Sequence, residues 1–334
     1  MVVTSSEPGN LPEHDTWRGA RVERMPMHSP LYRNDVRAVA RVRTRLAALK
    51  REFGPDVVHV HLADAAVLFH MLTEAETPAP VVVTVHSALA AAQAAPQTVL
   101  QRAITAAAWV TGCSRSMLDQ TLHTVPEVAS RSSVILNGMD TDRIAATPAP
   151  SGPPSVLLLG RLVEEKGFDV GLRACALVHQ SRPDLRVRLV GDGPERDRLL
   201  SLVVELGLEG AVEHTGRIPM GDVPSMLSRS NVVVIPSRYD EPFGLVAVEA
   251  GLAGRPVIAS ARGGLPEVVV DGVNGLLVPD DDPRALANAL LRVLADPALA
   301  ADFGRAGRVR AEHEFSLERH VNAFEDLYDR LLRS

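Results

Sequence analysis

Cysteine is almost absent from this chain: Cys113 and Cys175 are the whole complement among 334 residues. Two thiols so far apart in sequence offer neither a disulfide framework nor a zinc-type spacing, which suits the reducing cytosol. A basic excess is also missing. The net charge of -6 argues against a dedicated nucleic-acid binder. No apolar run approaches the roughly 18 residues that span a bilayer, and MVVTSSEPGN lacks the basic-then-apolar layout of a signal peptide. The expected location is therefore the cytoplasm. Aromatics are few, at 4%, but 46% hydrophobic and 23% charged residues suit a globular chain with a sizeable core. Its length favours two domains over one.

Short β-branched runs recur at intervals that leave room for a helix: VVHV near Val57, VVVTV near Val81, SVLLL near Val156, VRLV near Val187 and VVVIP near Val232. Alternating strands and helices imply parallel sheets, and runs without strict polar alternation suit strands covered on both faces. The class is α/β, doubly wound in each half. Between the halves, Gly138 to Pro154 concentrates Gly, Pro, Ser and Thr and reads as a linker. The Ala-rich stretch Ala88 to Val110 reads as a helix pair or a loop plus a helix. Past Pro283 a helical pattern runs almost to the end, where Phe324, Leu327, Tyr328 and Leu331 form one apolar stripe.

The strongest chemical signal is DEPFGLVAVEAGLAG, with Glu241 in a loop, Pro242 at the expected first helical position and Glu249 along the helix. That spacing is about 12 Å of helical rise. The two carboxylates can hold opposite ends of one extended ligand but cannot share a proton or a metal. A nucleotide sugar has this reach, with one carboxylate on sugar hydroxyls, the other on ribose hydroxyls, and the first-turn N–H groups facing a phosphate. Taken alone, an exposed loop glutamate and a surface helix glutamate fit as well. GRLVEEKGFD adds two cations: the strand ending at Leu159 runs into Arg161 and Lys166, then into an amphipathic helix carrying Val170, Leu172, Ala176 and Leu177. At the C-terminal edge of a parallel sheet this pair can neutralise the charge on a departing diphosphate, without Mg²⁺. No metal and no cofactor is expected.

With LVGDGPERDRL between them and GGLPEVVVDGVNGLLV after them, these motifs resemble the retaining glycosyltransferases of family 4 (glycosyl transferases group 1). The resemblance covers nearly the whole chain and is densest from Val156 to Pro279. It implies the GT-B fold: two Rossmann-like domains with a cleft between them. Residues 1–137 would form the acceptor-side domain, 138–154 the linker, 155–315 the nucleotide-sugar domain, and 316–334 a last helix packing back on the first domain. The implied activity is metal-independent, retaining hexosyl transfer from a UDP- or GDP-linked donor to an unidentified acceptor. On that resemblance Glu241 contacts the donor sugar, Glu249 the ribose, and Arg161 with Lys166 the phosphates. The backbone of Phe243, Gly244 and Leu245 meets the distal phosphate, and Gly216, Arg217 and Ile218 surround the base. His86, directly after VVVTV, lies close to the transferred sugar and supports it. Family members usually begin with a strand and a glycine-rich loop. Here Met1-Val2-Val3-Thr4 reads as the end of a later strand, so the first strand and helix are expected to be missing. The alternatives are a non-catalytic nucleotide-sugar-binding homologue and an epimerase or phosphorylase on the same fold.

Four features carry less. Asp280-Asp281-Asp282 looks like a metal-binding aspartate motif, but it precedes Pro283 and reads as helix capping. His59 and His61 alternate along one strand near Asp64, yet no third ligand is identifiable. Gly191-Asp192-Gly193 is a lone glycine pair in a strand-to-helix turn. From Arg18 to Arg51, ten Arg or Lys stand against two acidic residues, with Arg37, Arg41 and Arg45 at helical spacing opposite Val36, Val39, Leu46 and Leu49. This segment, 18–51, reads first as a solvated outer helix and second as a peripheral contact with anionic lipid headgroups on the inner membrane face.

Overall fold

The computed structural model describes residues 1–7, 9, 11–62, 65–87 and 98–333. It forms two compact units, one of Met1–Ile135 with Phe324–Ser334 and a second of Leu136–Ala323.

In the first unit the described strands form two sheets. β1 (Val2–Ser5) runs parallel to β3 (Ala20–Met25), and β2 (His14–Trp17) lies antiparallel on the far side of β3. β4 (Val58–Leu62), β5 (Val81–Val85), β6 (Trp109–Gly112) and β7 (Ser132–Val134) follow one another in a fully parallel sheet. VVHV and VVVTV thus become adjacent strands, and Val82, Val83 and Val85 are buried. β1 and β4 both line one cavity of about 380 Å³.

Two expectations for this unit are met only in part. Residues 88–97 of the Ala-rich stretch lie outside the described residues; the rest is a helix, Val99–Ala106, followed by β6. Ala107, extended at ψ 140°, ends the helix, and Trp109, Val110 and Thr111 suit a pleated strand. The basic helix Val36–Phe53 starts on an Asp35 cap and stops at Gly54 in the left-handed region. It buries Val42, Leu46 and Leu49, but Val36 is exposed, and Arg45 reaches the buried Glu23 at 2.9 Å. Its two faces are therefore less cleanly divided than the spacing suggests.

The second unit holds one six-stranded parallel sheet in the order β10 (Val212–Gly216), β9 (Arg186–Val190), β8 (Ser155–Leu159), β11 (Val232–Ile235), β12 (Val257–Ser260) and β13 (Gly275–Val278). The chain winds outward from β8 through β9 to β10, then returns to the other side of β8 with β11. That reversal is a topological switch point, where loops leaving the C-terminal strand ends diverge and make a crevice. Val156, Leu158, Val187, Leu189, Val232 and Val234 form the buried centre of the core. The helical stretch past Pro283 is three helices, Pro283–Ala295, Pro297–Glu314 and Leu317–Arg333, because Asp296 with Pro297 restarts one and Phe315 ends it.

Within 138–154 the chain is held to this unit by Arg255, which is 1% exposed. Its guanidinium donates to the carbonyls of Leu227, Thr147 and Pro148 at 2.9–3.0 Å and to the Thr147 hydroxyl. Arg255→Met should strand those buried acceptors and cost about 2–4 kcal/mol. Urea unfolding followed by circular dichroism checks this, and an unchanged midpoint contradicts it.

Candidate active site

Three turns leave the C-terminal ends of β8, β9 and β10 together. Leu159, Gly160 and Arg161 from the first, Gly191 to Gly193 from the second, and Arg217 with Ile218 from the third line one cavity of about 530 Å³. The glycine pair explains their closeness. A Cβ on Gly191 would lie 1.8 Å from the Gly160 carbonyl oxygen, and one on Gly193 2.3 Å from that of Leu162. Leu162 N–H donates to Asp192 O at 2.9 Å, and Glu195 N–H donates to Leu162 O at 3.0 Å. Gly191 and Gly193 are thus packing residues that press two turns together and set the path of Arg161.

On the other side of the switch point, the turn after β8 is fastened to the loop after β11. Arg238 N–H donates to Glu165 O at 2.8 Å. Lys166 turns to Glu241 rather than to its neighbours Glu164 or Glu165: its ammonium lies 2.5 Å from Oε1. Ser237 Oγ also donates to Oε1, at 2.8 Å, and Tyr239 OH donates to Oε2 at 2.7 Å. Glu241 is 5% exposed and takes three donors, most of the roughly four lone-pair sites a carboxylate offers. Burial and the Glu241 charge raise the Tyr239 hydroxyl well above its ordinary range, so it stays a donor; the charge of Arg161 acts on it in the opposite sense. Lys166 also sits over the Tyr239 ring, 5.2 Å from its centroid.

Gly263 and Gly264 pack against the backbone around Glu241. Gly264 N–H donates to Glu241 O at 2.7 Å, and Gly263 has φ +59° with Glu241 N only 2.4 Å from where a Cβ would sit. This explains the glycines of GGLPEV. Pro242 is not the first helical residue. The helix runs Leu245–Leu252 behind Gly244 at φ +105°, so Glu241 and Pro242 belong to the loop and the helical rise between the glutamates does not apply. Phe243 is buried, and Gly244 and Leu245 stand at the helix start. Glu249 is half-buried on this helix; burial pushes its carboxyl up to about 7, with the Arg143 charge opposing.

The aspartate triplet separates into three jobs. Asp280 pairs with Arg262 at 2.5 Å, Asp281 pairs with Arg238, and Asp282 caps the helix Pro283–Ala295 by accepting from the Arg284 and Ala285 N–H groups. Arg238 also grips Asp169 with two nitrogens, at 2.5 and 2.8 Å. Burial works against ionised Asp169, yet Arg238 holds its carboxyl below the usual range. Among the described residues no cluster of three or more His, Cys, Asp or Glu is placed to hold a metal.

In the first unit His86 follows β5, its Nε2 2.8 Å from His61 Nδ1. His59 is bonded to Thr84 Oγ1 and to Tyr328 OH, each at 2.6 Å, while Asp64 lies outside the described residues. Sequence reasoning missed Ser237, Tyr239, Arg238, Asp169 and Arg143. Tyr239 was the most findable, one of three tyrosines, set between Arg238 and Asp240.

The model of the family "Glycosyl transferases group 1" matches residues 140–310, and that of "Glycosyltransferase Family 4" matches 1–143. The chain is 31% identical over 303 residues to glycogen synthase of Mycobacterium tuberculosis, covering 86% of this chain and 72% of the relative. This chain belongs to the glycosyl transferases group 1. Among solved structures, sucrose-phosphate synthase from Thermosynechococcus elongatus superposes with TM-score 0.83 at 28% identity, over 99% of this chain and 88% of that one. Anabaena Alr3699/HepE in complex with UDP gives TM-score 0.78 at 26% identity, over 92% and 86%. The fold of this glycosyltransferase is GT-B.

Glu249 gives the site a measurable pH signature. Its folded pKa of about 7 stands above the ordinary 4.5, so the folded state binds the proton more tightly. The associated stability is fully present below pH 4.5 and is lost as pH rises through 7, roughly 3 kcal/mol in all. Denaturant unfolding from pH 4.5 to 8 should show Glu249→Gln gaining on the wild type by about that amount; parallel curves contradict it.

Proposed function

We propose that this glycosyltransferase moves a hexose from a nucleotide-sugar donor with retention of configuration and without a metal ion. The observation that carries the reading is the cavity at the ends of β8, β9 and β10, lined by Arg161, Arg217 and Ile218. At about 530 Å³ it falls within the size of small-molecule sites, and the turn that opens it runs on to Lys166, which pairs with Glu241 of the loop after β11. UDP in the Anabaena neighbour supports a nucleotide here. The base lies against Arg217 and Ile218, and the ribose hydroxyls donate to Glu249. The diphosphate meets Arg161, Lys166 and the N–H groups from Phe243 to Leu245, where a helix start favours negative charge. These cations take the charge that develops on the leaving diphosphate, the part a metal plays elsewhere. Glu241 accepts sugar hydroxyls with its remaining capacity and aims Lys166 at the phosphates.

Retention follows if the acceptor hydroxyl attacks from the leaving-group face, where a departing phosphate oxygen takes its proton. His86 supports the transferred sugar. The resemblance of the motifs around Lys166 and Glu241 to those of retaining glycosyltransferases is what supports this stereochemistry. The exposed Arg37 and Arg41, on the helix Val36–Phe53, suit a transient contact with anionic headgroups.

Calorimetry with UDP and GDP, separately, on the wild type and Glu249→Ala tests the donor site. One nucleotide should bind at about micromolar level and the variant should lose at least tenfold. Because ribose hydroxyls need the ionised carboxylate, binding below pH 7 should release a proton, read as a heat that depends on the buffer's ionisation enthalpy, and affinity should fall as pH drops below 7. Unchanged binding by Glu249→Ala with no buffer dependence overturns the assignment.

A further inference from the structure

We infer that His61 is a positioning residue for His86, fixing which of its ring nitrogens carries the proton and how the ring is turned. This rests on the reading that His86 supports the transferred sugar. β4 and β5 pair in parallel with His61 opposite Thr84, which places the His61 ring beside the residue that follows β5. His61 Nδ1 and His86 Nε2 are 2.8 Å apart, with ring planes inclined by 19°. A bond of that length between two imidazoles needs one N–H and one lone pair, so the tautomer of one ring dictates that of the other.

His61 is exposed, and an exposed histidine ring would ordinarily sample several rotamers. Here it is stacked on His59, with centroids 4.2 Å apart and planes at 30°. His59 is itself bonded at both nitrogens. Nε2 meets Thr84 Oγ1, which continues to Thr111 Oγ1 at 2.6 Å, and Nδ1 meets the hydroxyl of Tyr328 on the last helix. The Phe324 ring packs on His59 with centroids 4.8 Å apart. The order runs from buried threonines of β5 and β6 and from the last helix to His59, then by stacking to His61, then by a hydrogen bond to His86. Two imidazoles alternating on one strand thus have a use that a metal site does not supply.

The test compares His61→Phe, which keeps the stacked ring and loses the bond, with His61→Asn, whose amide can replace Nδ1. Long-range ¹H–¹⁵N spectra of histidine-labelled protein should show His86 as one tautomer in the wild type, a shifted tautomer ratio in His61→Phe, and the wild-type tautomer again in His61→Asn. Averaging already present in the wild type, or an unchanged His86 in His61→Phe, overturns the inference whether or not the protein is turning over donor. Release of UDP from UDP-glucose by slow transfer of the glucosyl group to water, or of GDP from GDP-mannose if calorimetry selects GDP, should fall about 10–100-fold in kcat for His61→Phe, as for other partners that orient a functional histidine. KM should stay within about twofold, and His61→Asn should recover most of the rate. Equal losses in His61→Phe and His61→Asn mean packing alone. His86→Ala separates the two claims: if it turns over donor normally, the reading of His86 fails, and if it is inactive while His61→Phe is normal in rate and spectrum, only the positioning role fails.

Discussion

The loop after β8 and the loop after β11 begin on neighbouring strands but belong to opposite windings of the sheet, and at a switch point such loops diverge. In this chain they are drawn together again by the ion pair of Lys166 with Glu241, mostly buried and completed by Ser237 and Tyr239. A buried ion pair contributes little net stability once desolvation is counted, but losing one partner leaves an uncompensated charge. Its value here is geometric. It fixes a cation beside the crevice and holds a carboxylate in a site where backbone contacts from Gly263, Gly264 and Glu165 leave the loops little room to move.

The two glutamates work in different environments. Glu241 is surrounded by donors, whereas Glu249 is raised to about 7 by burial, with the charge of Arg143 opposing. Pairs of carboxylates set apart by their surroundings take different roles. Glu241 already receives three hydrogen bonds from Lys166, Ser237 and Tyr239; on the proposed reading, Glu249 is ionised when ribose hydroxyls donate to it.

Much of this was legible in the sequence, because the strands of a parallel sheet are continuous apolar runs. SVLLL, VRLV and VVVIP became β8, β9 and β11, and VVHV and VVVTV became β4 and β5. Strands with fewer consecutive β-branched residues, such as Trp109–Gly112, and Val257–Ser260 inside a Gly- and Pro-rich stretch, give too little pattern to read. The charged site residues were legible as types and order. Their partners were not: that Arg238 would hold Asp169 and Asp281, or Tyr239 would hold Glu241, depends on contacts between loops far apart in sequence. The start of the helix bearing Glu249 was misplaced because Pro242 is a good first residue, whereas Gly244 takes a left-handed conformation before Leu245 and Gly263 and Gly264 pack on the loop at Glu241.

The central claim is that one ligand bridges the cavity of Arg161, Arg217 and Ile218 to the helix start at Gly244 and to Glu249. The most direct measurement is a crystal structure of the chain with the nucleotide that binds it. The base should lie against Gly216 to Ile218, both ribose hydroxyls within about 3 Å of the Glu249 carboxylate, and the diphosphate in contact with Lys166 and the Gly244–Leu245 amides. A nucleotide seated instead in the cavity lined by Thr147, Arg182 and Arg308, or one bound with Glu249 facing no hydroxyl, would contradict it.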